Sequence, residues 1–352
     1  MPRKTRKTSR RRKRPYAPRY GAWKTERLLD LRLCDIQVKI QGTPVERRIR
    51  QLYRELAQRG IRFRPHFWVS DEWFVPDHVP GCAVPFYLLH PRLMHLERRQ
   101  MLEIEGGDRR ECMRVLRHET GHAIEAAYRL HLRRKRQRLF GRTTKPYPEM
   151  YLPRPHSRAF VQHLDYWYAQ AHPDEDFAET FAVWLTPRSN WRKRYAGWHA
   201  LRKLEYMDEL MGEIAAKPPL VRSRAHVDPL RRIGKTLRQY YAEKKERYSG
   251  DCPDFLDSDI RKLFSDAPEF RKNESAAAFL RKTRPEIRRT VSRWTGHNQY
   301  NLDLLLKDVI GRCRELKLRL IGPPERTKLD VIIMLTVNTM EFAYSGRRWI
   351  SL

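Results

Sequence analysis

Two histidines four residues apart, with a glutamate directly after the first, stand in the stretch His118, Glu119, Thr120, Gly121, His122 (HETGH). On a helix, positions four apart share a face, so both imidazoles can offer a ring nitrogen to one metal ion. Zinc suits such donors, and a catalytic zinc takes three protein ligands and keeps one position open for water. Glu119 can reach that water without binding the ion, which is where a general base belongs. The third ligand has to come from another part of the chain. Glu175 and Glu179, one helical turn apart, are the strongest candidates, and spacing alone does not choose between them. His156, His163 and His172 are the alternatives.

The element that must carry the histidines is written in their flanks. Gly106 and Gly107 break the chain, Asp108 suits an N-cap, and Glu111 lies three residues on, a variant of the capping box. Cys112, Leu116, Ala123, Ala126, Ala127 and Leu130 recur at roughly helical spacing and should face a core. Gly121 costs a helix interior roughly 1 kcal/mol against alanine, so it is expected to make room for a backbone or a substrate. The carboxylates sit in Ala171–Leu185 (AHPDEDFAETFAVWL). Pro173 fits the first helical position, Asp174, Glu175 and Asp176 fill the first turn, Phe177, Phe181 and Trp184 cover one side, and Pro187 stops the helix.

Around these lie further elements. Val45–Arg59 has helical spacing at Ile49, Leu52, Tyr53 and Leu56 and is closed by Gly60. Ile61–Ser70 alternates like a strand, and Glu72–Val75 is expected to pair with it. Pro80–Leu89 (PGCAVPFYLL) carries Pro85, which reads as an edge strand or as a core strand ending at a bulge. A second basic run, Arg133 to Lys145, reads as a solvated helix end. It leads into a proline-rich loop, Pro146–Pro155, and an aromatic helix over Ser157–Gln170. Residues 191–215 read as helical, and Lys217-Pro218-Pro219 as a linker. Helices are then expected over Pro229–Arg247, Pro253–Phe264, Ala276–Trp294 with a break near Pro285, Tyr300–Leu318 and Thr327–Tyr344. This divides the chain into a basic tail expected to be disordered (1–22), a catalytic domain (23–221) and a helical C-terminal domain (222–352).

Composition bounds the rest. A chain of 352 residues with 40% hydrophobic content can bury a sizeable core. No apolar run approaches the roughly 20 residues of a membrane span, and no secretory signal follows the basic N-terminus. Five scattered cysteines without a C-x-x-C fit reduced thiols in a cytoplasmic setting. The formal charge is +31, and residues 1–14 hold nine Lys/Arg and no acid, which leaves +22 on the remainder. Such a field favours acidic partners: an acidic polypeptide, nucleic acid or another polyanion, the last two through the basic tail.

HETGH is also the zinc-peptidase spacing H-E-x-x-H. Together with HPDEDFAETFAVWL downstream and PGCAVPFYL upstream, it resembles bacterial zinc-binding metallopeptidases of the gluzincin type, and is distantly similar to the catalytic domain of anthrax lethal factor. The resemblance covers about residues 60–215. It implies an α+β, zincin-like domain, with a small twisted sheet and an active-site helix, ahead of the mostly α-helical C-terminal domain. It assigns zinc to His118, His122 and Glu175, and it places Glu179 behind His118 to accept from the other ring nitrogen. It gives Tyr168, seven residues before Glu175, the role of oxyanion donor. Peptide hydrolysis with Glu119 as base follows, with substrate added as a strand along a sheet edge formed by Pro80–Leu89. Two rival readings stand beside it: a basic nucleic-acid-binding protein whose zinc site is structural or vestigial, and a zinc amidohydrolase acting on an isopeptide or non-protein amide. An intact Glu119 weighs against the first.

Overall fold

The computed structural model of the protein describes residues 20–148, 150–151, 153–248, 257–344 and 350–351. It is mixed and rich in helix, with three small two-stranded pairings. The basic tail up to residue 19 lies outside the described residues. Residues 20–22, expected to be disordered with it, form a short 3-10 turn instead, because the Tyr20 ring is buried in the core and its hydroxyl accepts from Gln37 N at 2.7 Å.

Helix Pro44–Gln58 starts where Thr43 Oγ1 accepts from Glu46 N, with Pro44 in the first turn, and buries Val45, Ile49, Leu52 and Leu56 along one stripe. Of the expected strand Ile61–Ser70, only His66–Ser70 is laddered, parallel to Gly81–Pro85 with His66 opposite Gly81 and Ser70 opposite Pro85. Ile61 and Phe63 are buried as the alternation implies, without strand pairing. Contrary to the expected pairing of Glu72–Val75 with Ile61–Ser70, Phe74 bridges Ala83 on the second strand, with Ala83 N donating to Phe74 O at 2.9 Å. Gly81–Pro85 is therefore flanked on both sides and wholly buried. It is a core strand, not a free edge for substrate, and its continuous apolar run is the signature of a strand covered on both faces.

The histidine helix, Arg109–Tyr128, begins at Asp108, whose Oδ1 accepts from Glu111 N at 2.8 Å, and ends at Arg129 with φ +50°. The carboxylate helix, Pro173–Leu185, is capped by His172 and buries every residue from Glu175 to Leu185. The two pack together at Gly121: a Cβ there would lie 2.7 Å from Ala178 Cα and 3.1 Å from its carbonyl oxygen. The glycine therefore makes room for a backbone.

Ser157–Gln170 is not the helix its aromatic spacing suggests. Only a 3-10 segment, Asp165–Gln170, forms, with Tyr166 and Trp167 at φ +62° and +54°. Leu164 N donates to Glu179 Oε2 at 2.8 Å, so this backbone serves the neighbouring site rather than a helical ladder. Residues 191–215 form two helices, Trp191–Arg194 and Ala200–Ile214. Leu237–Tyr248 starts later than expected because residues 233–237 bond back to the N-terminal region: Leu33 N to Lys235 O and Leu237 N to Leu31 O, both at 2.9 Å. Asp257–Arg261 is the described part of the next helix. Ala276–Thr295 runs unbroken through Pro285, keeping Phe279, Leu280, Ile287 and Val291 buried, and Gln299–Glu315 and Pro324–Tyr344 complete the helical half. The buried apolar residues form two large clusters, one from Tyr20 to Tyr241 and one from Ile260 to Leu335. Leu230, Leu237, Tyr240 and Tyr241, beyond the expected boundary at 221, belong to the first. No helix among the described residues is long and apolar enough to cross a membrane.

Candidate metal centre

Packing at Gly121 brings the two motifs face to face. His118 Nε2 and His122 Nε2 lie 3.1 Å apart, and Glu175 Oε2 lies 3.0 Å from the first and 3.2 Å from the second. His118 and Glu175 are buried, and His122 is partly so. Three atoms that can each offer a lone pair lie within about hydrogen-bond distance of one another, an arrangement that a cation satisfies. The group of His118, His122 and Glu175 could hold a metal ion, and among the described residues no other set of three or more His, Cys, Asp or Glu does so.

Glu179 is fully buried behind this group. Its Oε1 lies 2.9 Å from His118 Nδ1 and its Oε2 accepts from Leu164 N. Facing a carboxylate, Nδ1 is the protonated nitrogen, which turns the lone pair of Nε2 toward the centre. Glu175 and Glu179 thus occupy different places: one beside both Nε2 atoms, the other on the far side of the His118 ring.

The electrostatics fit an enclosed cluster. Burial disfavours the charged form of His118, but hydrogen bonds and charge from Glu175 and Glu179 outweigh it and hold the pKa well above the ordinary histidine value. For His122, burial is likewise outweighed by Glu175, and its pKa is raised. Burial pushes the Glu175 carboxyl upward, yet the two histidines win and hold it below the usual range. A cation binding at this site therefore competes with protons for the two imidazoles. Glu119, next to His118 and 8% exposed, is raised by burial, with His118 and His122 opposing. The Tyr168 ring centroid lies 5.6 Å from that of His118, and burial followed by the charges of Glu175 and Glu119 keeps its hydroxyl protonated.

The alternative histidines are used otherwise. His172 caps the carboxylate helix, with Nδ1 accepting from Asp174 N at 3.2 Å and Nε2 donating to Lys145 O at 2.7 Å. His163 Nε2 lies 3.0 Å from the Arg114 carbonyl, and His156 is exposed. None of the three joins the group.

Residues that the sequence does not single out brace this group. Arg117, just before His118, makes a two-pronged bond to buried Glu55 at 2.8 and 3.0 Å. Arg136, read as part of a solvated basic run, is 0% exposed: it donates to Glu125 Oε1 at 2.8 Å, Asp174 Oδ1 at 2.6 Å and Gly141 O at 2.6 Å. Lys203 Nζ holds Asp176 Oδ2 at 2.5 Å. Both neighbours of Glu175 in sequence are thus anchored by cations. Tyr147 Oη donates to Glu175 Oε1 at 3.0 Å. Nothing in the sequence marks Tyr147, which sits between two prolines in a loop, and Arg136 is hidden by the basic residues around it.

Comparisons with protein-family models, with curated proteins and with solved structures each return no match. The site is defined by its own geometry: a buried group of two histidines and one glutamate, with a carboxylate behind the first histidine and another directly after it in sequence.

Proposed function

We propose that the chain is a zinc-dependent metallopeptidase of gluzincin type, built on an α+β zincin-like catalytic unit and hydrolysing peptide bonds in a polypeptide substrate. The observation that carries this reading is the convergence of His118 Nε2, His122 Nε2 and Glu175 Oε2 beside buried Glu119. Two nitrogens and one oxygen from three side chains are the donor set of a catalytic zinc rather than of a closed structural one. When bound, zinc supplies Lewis acidity that acidifies water and polarises a carbonyl.

The chain's own residues do the rest. Glu119 accepts a proton from the attacking water and delivers it to the leaving amine. Tyr168, beside His118, donates its hydroxyl proton in a hydrogen bond to the developing oxyanion. Glu179 keeps His118 in one tautomer, and Arg117, Arg136 and Lys203 limit movement of the ligands. Free thiols at Cys34, Cys82, Cys112 and Cys313 support a reducing, cytoplasmic setting. The +31 charge favours acidic substrates and gives a nucleic-acid-binding reading some support, but that reading leaves Glu119 without a task.

The test is hydrolysis of a mixed peptide library by protein stripped with a chelator and then reloaded with zinc. Cleavage restored by zinc is expected. A zinc-loaded protein that cleaves no peptide, or a protein that takes up no zinc, would overturn the reading.

A further inference from the structure

Tyr147 lies between Pro146 and Pro148, in the loop that leads from the short helix Arg134–Phe140 toward the carboxylate helix. The residue is 51% exposed, yet its hydroxyl points inward and donates to Glu175 Oε1 at 3.0 Å. Its ring lies flat on the His172 imidazole, with centroids 3.7 Å apart and planes at 17°. The platform is itself fixed: His172 is buried, accepts from Asp174 N at one nitrogen and donates to Lys145 O at the other. A rigid stack therefore runs from the cap of the carboxylate helix to the phenol and on to the far oxygen of Glu175.

We propose that Tyr147 is a positioning residue of the metal centre: its hydroxyl holds Glu175 Oε1 so that Oε2 alone faces His118 Nε2 and His122 Nε2. This rests on the metal reading given above. The physical ground is the softness of a carboxylate's terminal torsion, which is broad and roughly two-fold, so packing along the aliphatic stem does not fix which oxygen points where. One donor on Oε1 breaks that near-symmetry. It also satisfies a lone pair that would otherwise be removed from water without a partner. The proline on each side of Tyr147 limits the loop backbone, and the stack on His172 limits the ring. The hydroxyl thus meets Glu175 at a set distance although the residue as a whole is half exposed. His172 serves the metal through Tyr147, two contacts removed from where a ligand would be.

The test separates the hydroxyl from the ring. Zinc affinity of the full chain is measured by competition with a chromogenic chelator for wild type, Tyr147→Phe and Tyr147→Ala, with circular dichroism to confirm the fold. Tyr147→Phe keeps the stack and loses the donor. It is expected to bind zinc about 10–100-fold more weakly, the range seen when a partner that orients a ligand is removed, and Tyr147→Ala should bind no more tightly than Tyr147→Phe. Tyr168→Phe, which removes a donor aimed at substrate, should keep wild-type zinc affinity while losing turnover. If Tyr147→Phe matches wild type and only Tyr147→Ala is weakened, the ring is a cover and the assignment is wrong. A wild-type chain that takes up no zinc sinks the metal reading and this assignment together. A wild type that binds zinc, with Tyr147→Phe binding equally well, overturns the assignment alone.

Discussion

Gly121→Ala sets a local preference against a packing constraint, and the structure says which wins. The substitution adds a methyl group inside the histidine helix, where alanine is favoured by roughly 1 kcal/mol. That methyl carbon would lie 2.7 Å from Ala178 Cα, 3.1 Å from Ala178 O and 3.2 Å from Ala178 Cβ. Carbon pairs are most stable at about 3.5–4.0 Å, so the carboxylate helix has to retreat by roughly 1 Å. Two of the three contacts are backbone atoms, and no change of rotamer relieves them. Overpacking of this kind costs about 1–3 kcal/mol, which offsets or exceeds the helical gain and leaves a net loss of about 0–2 kcal/mol. The larger effect falls on the metal. Glu175 and Glu179 ride on the helix that moves, and metal–ligand distances tolerate about 0.2 Å. Zinc affinity is therefore expected to drop at least tenfold, with a lower urea midpoint, by chelator competition and denaturation monitored by far-ultraviolet circular dichroism. A Gly121→Ala chain that is more stable than wild type and binds zinc equally well would show that the Gly121–Ala178 contact does not set the site.

Glu175→Ala is expected to be nearly metal-free, whereas Glu179→Ala keeps zinc with affinity reduced about 10–100-fold, because the first removes a donor atom and the second releases the His118 ring; elemental analysis at graded zinc concentrations separates the two. Arg136→Ala removes a guanidinium with no exposed surface and leaves Glu125 and Asp174 without their partner, so a loss of about 3–5 kcal/mol is expected in chemical denaturation. Deleting residues 1–19, which stops short of buried Tyr20, should abolish the most salt-sensitive part of polyanion binding while leaving hydrolysis of a short peptide unchanged; a large fall in that hydrolysis would tie the tail to catalysis.

The parts of the site legible in the sequence are those whose signals are local. The histidine helix is announced by its own cap at Asp108 and its own periodicity, and HETGH sets two imidazoles on one face whatever surrounds it. The carboxylate helix is equally local, with Pro173 and three acids in the first turn. What spacing leaves open is which of Glu175 and Glu179 meets the histidine Nε2 atoms, since both share a face. That is decided by the contact of Gly121 with Ala178, which no single segment encodes. Burial of Arg136 depends on carboxylates 11 and 38 residues away, so it is indistinguishable in sequence from the solvated arginines beside it. Strand Gly81–Pro85 was open to two readings because a proline ends it; its parallel partner, and the return of Phe74 to its other side, are tertiary facts. The aromatic spacing over Ser157–Gln170 imitates a helix, but Leu164 N bonds to Glu179, and the aromatic cluster at Tyr166–Trp167 takes left-handed backbone. Tyr147 has no pattern at all, and it touches Glu175 directly.

The most direct measurement is zinc content and peptide hydrolysis determined side by side for wild type and Glu119→Gln. The substitution keeps the size of the buried side chain and removes its ability to take a proton, while His118, His122 and Glu175 are untouched. Both proteins should hold one zinc per chain, and the variant should hydrolyse peptide at least about 100-fold more slowly, the scale of a lost general base. A variant with near wild-type turnover at full zinc occupancy would contradict the assignment of Glu119 as the base, and a variant that lost its zinc would contradict the separation of base from ligands.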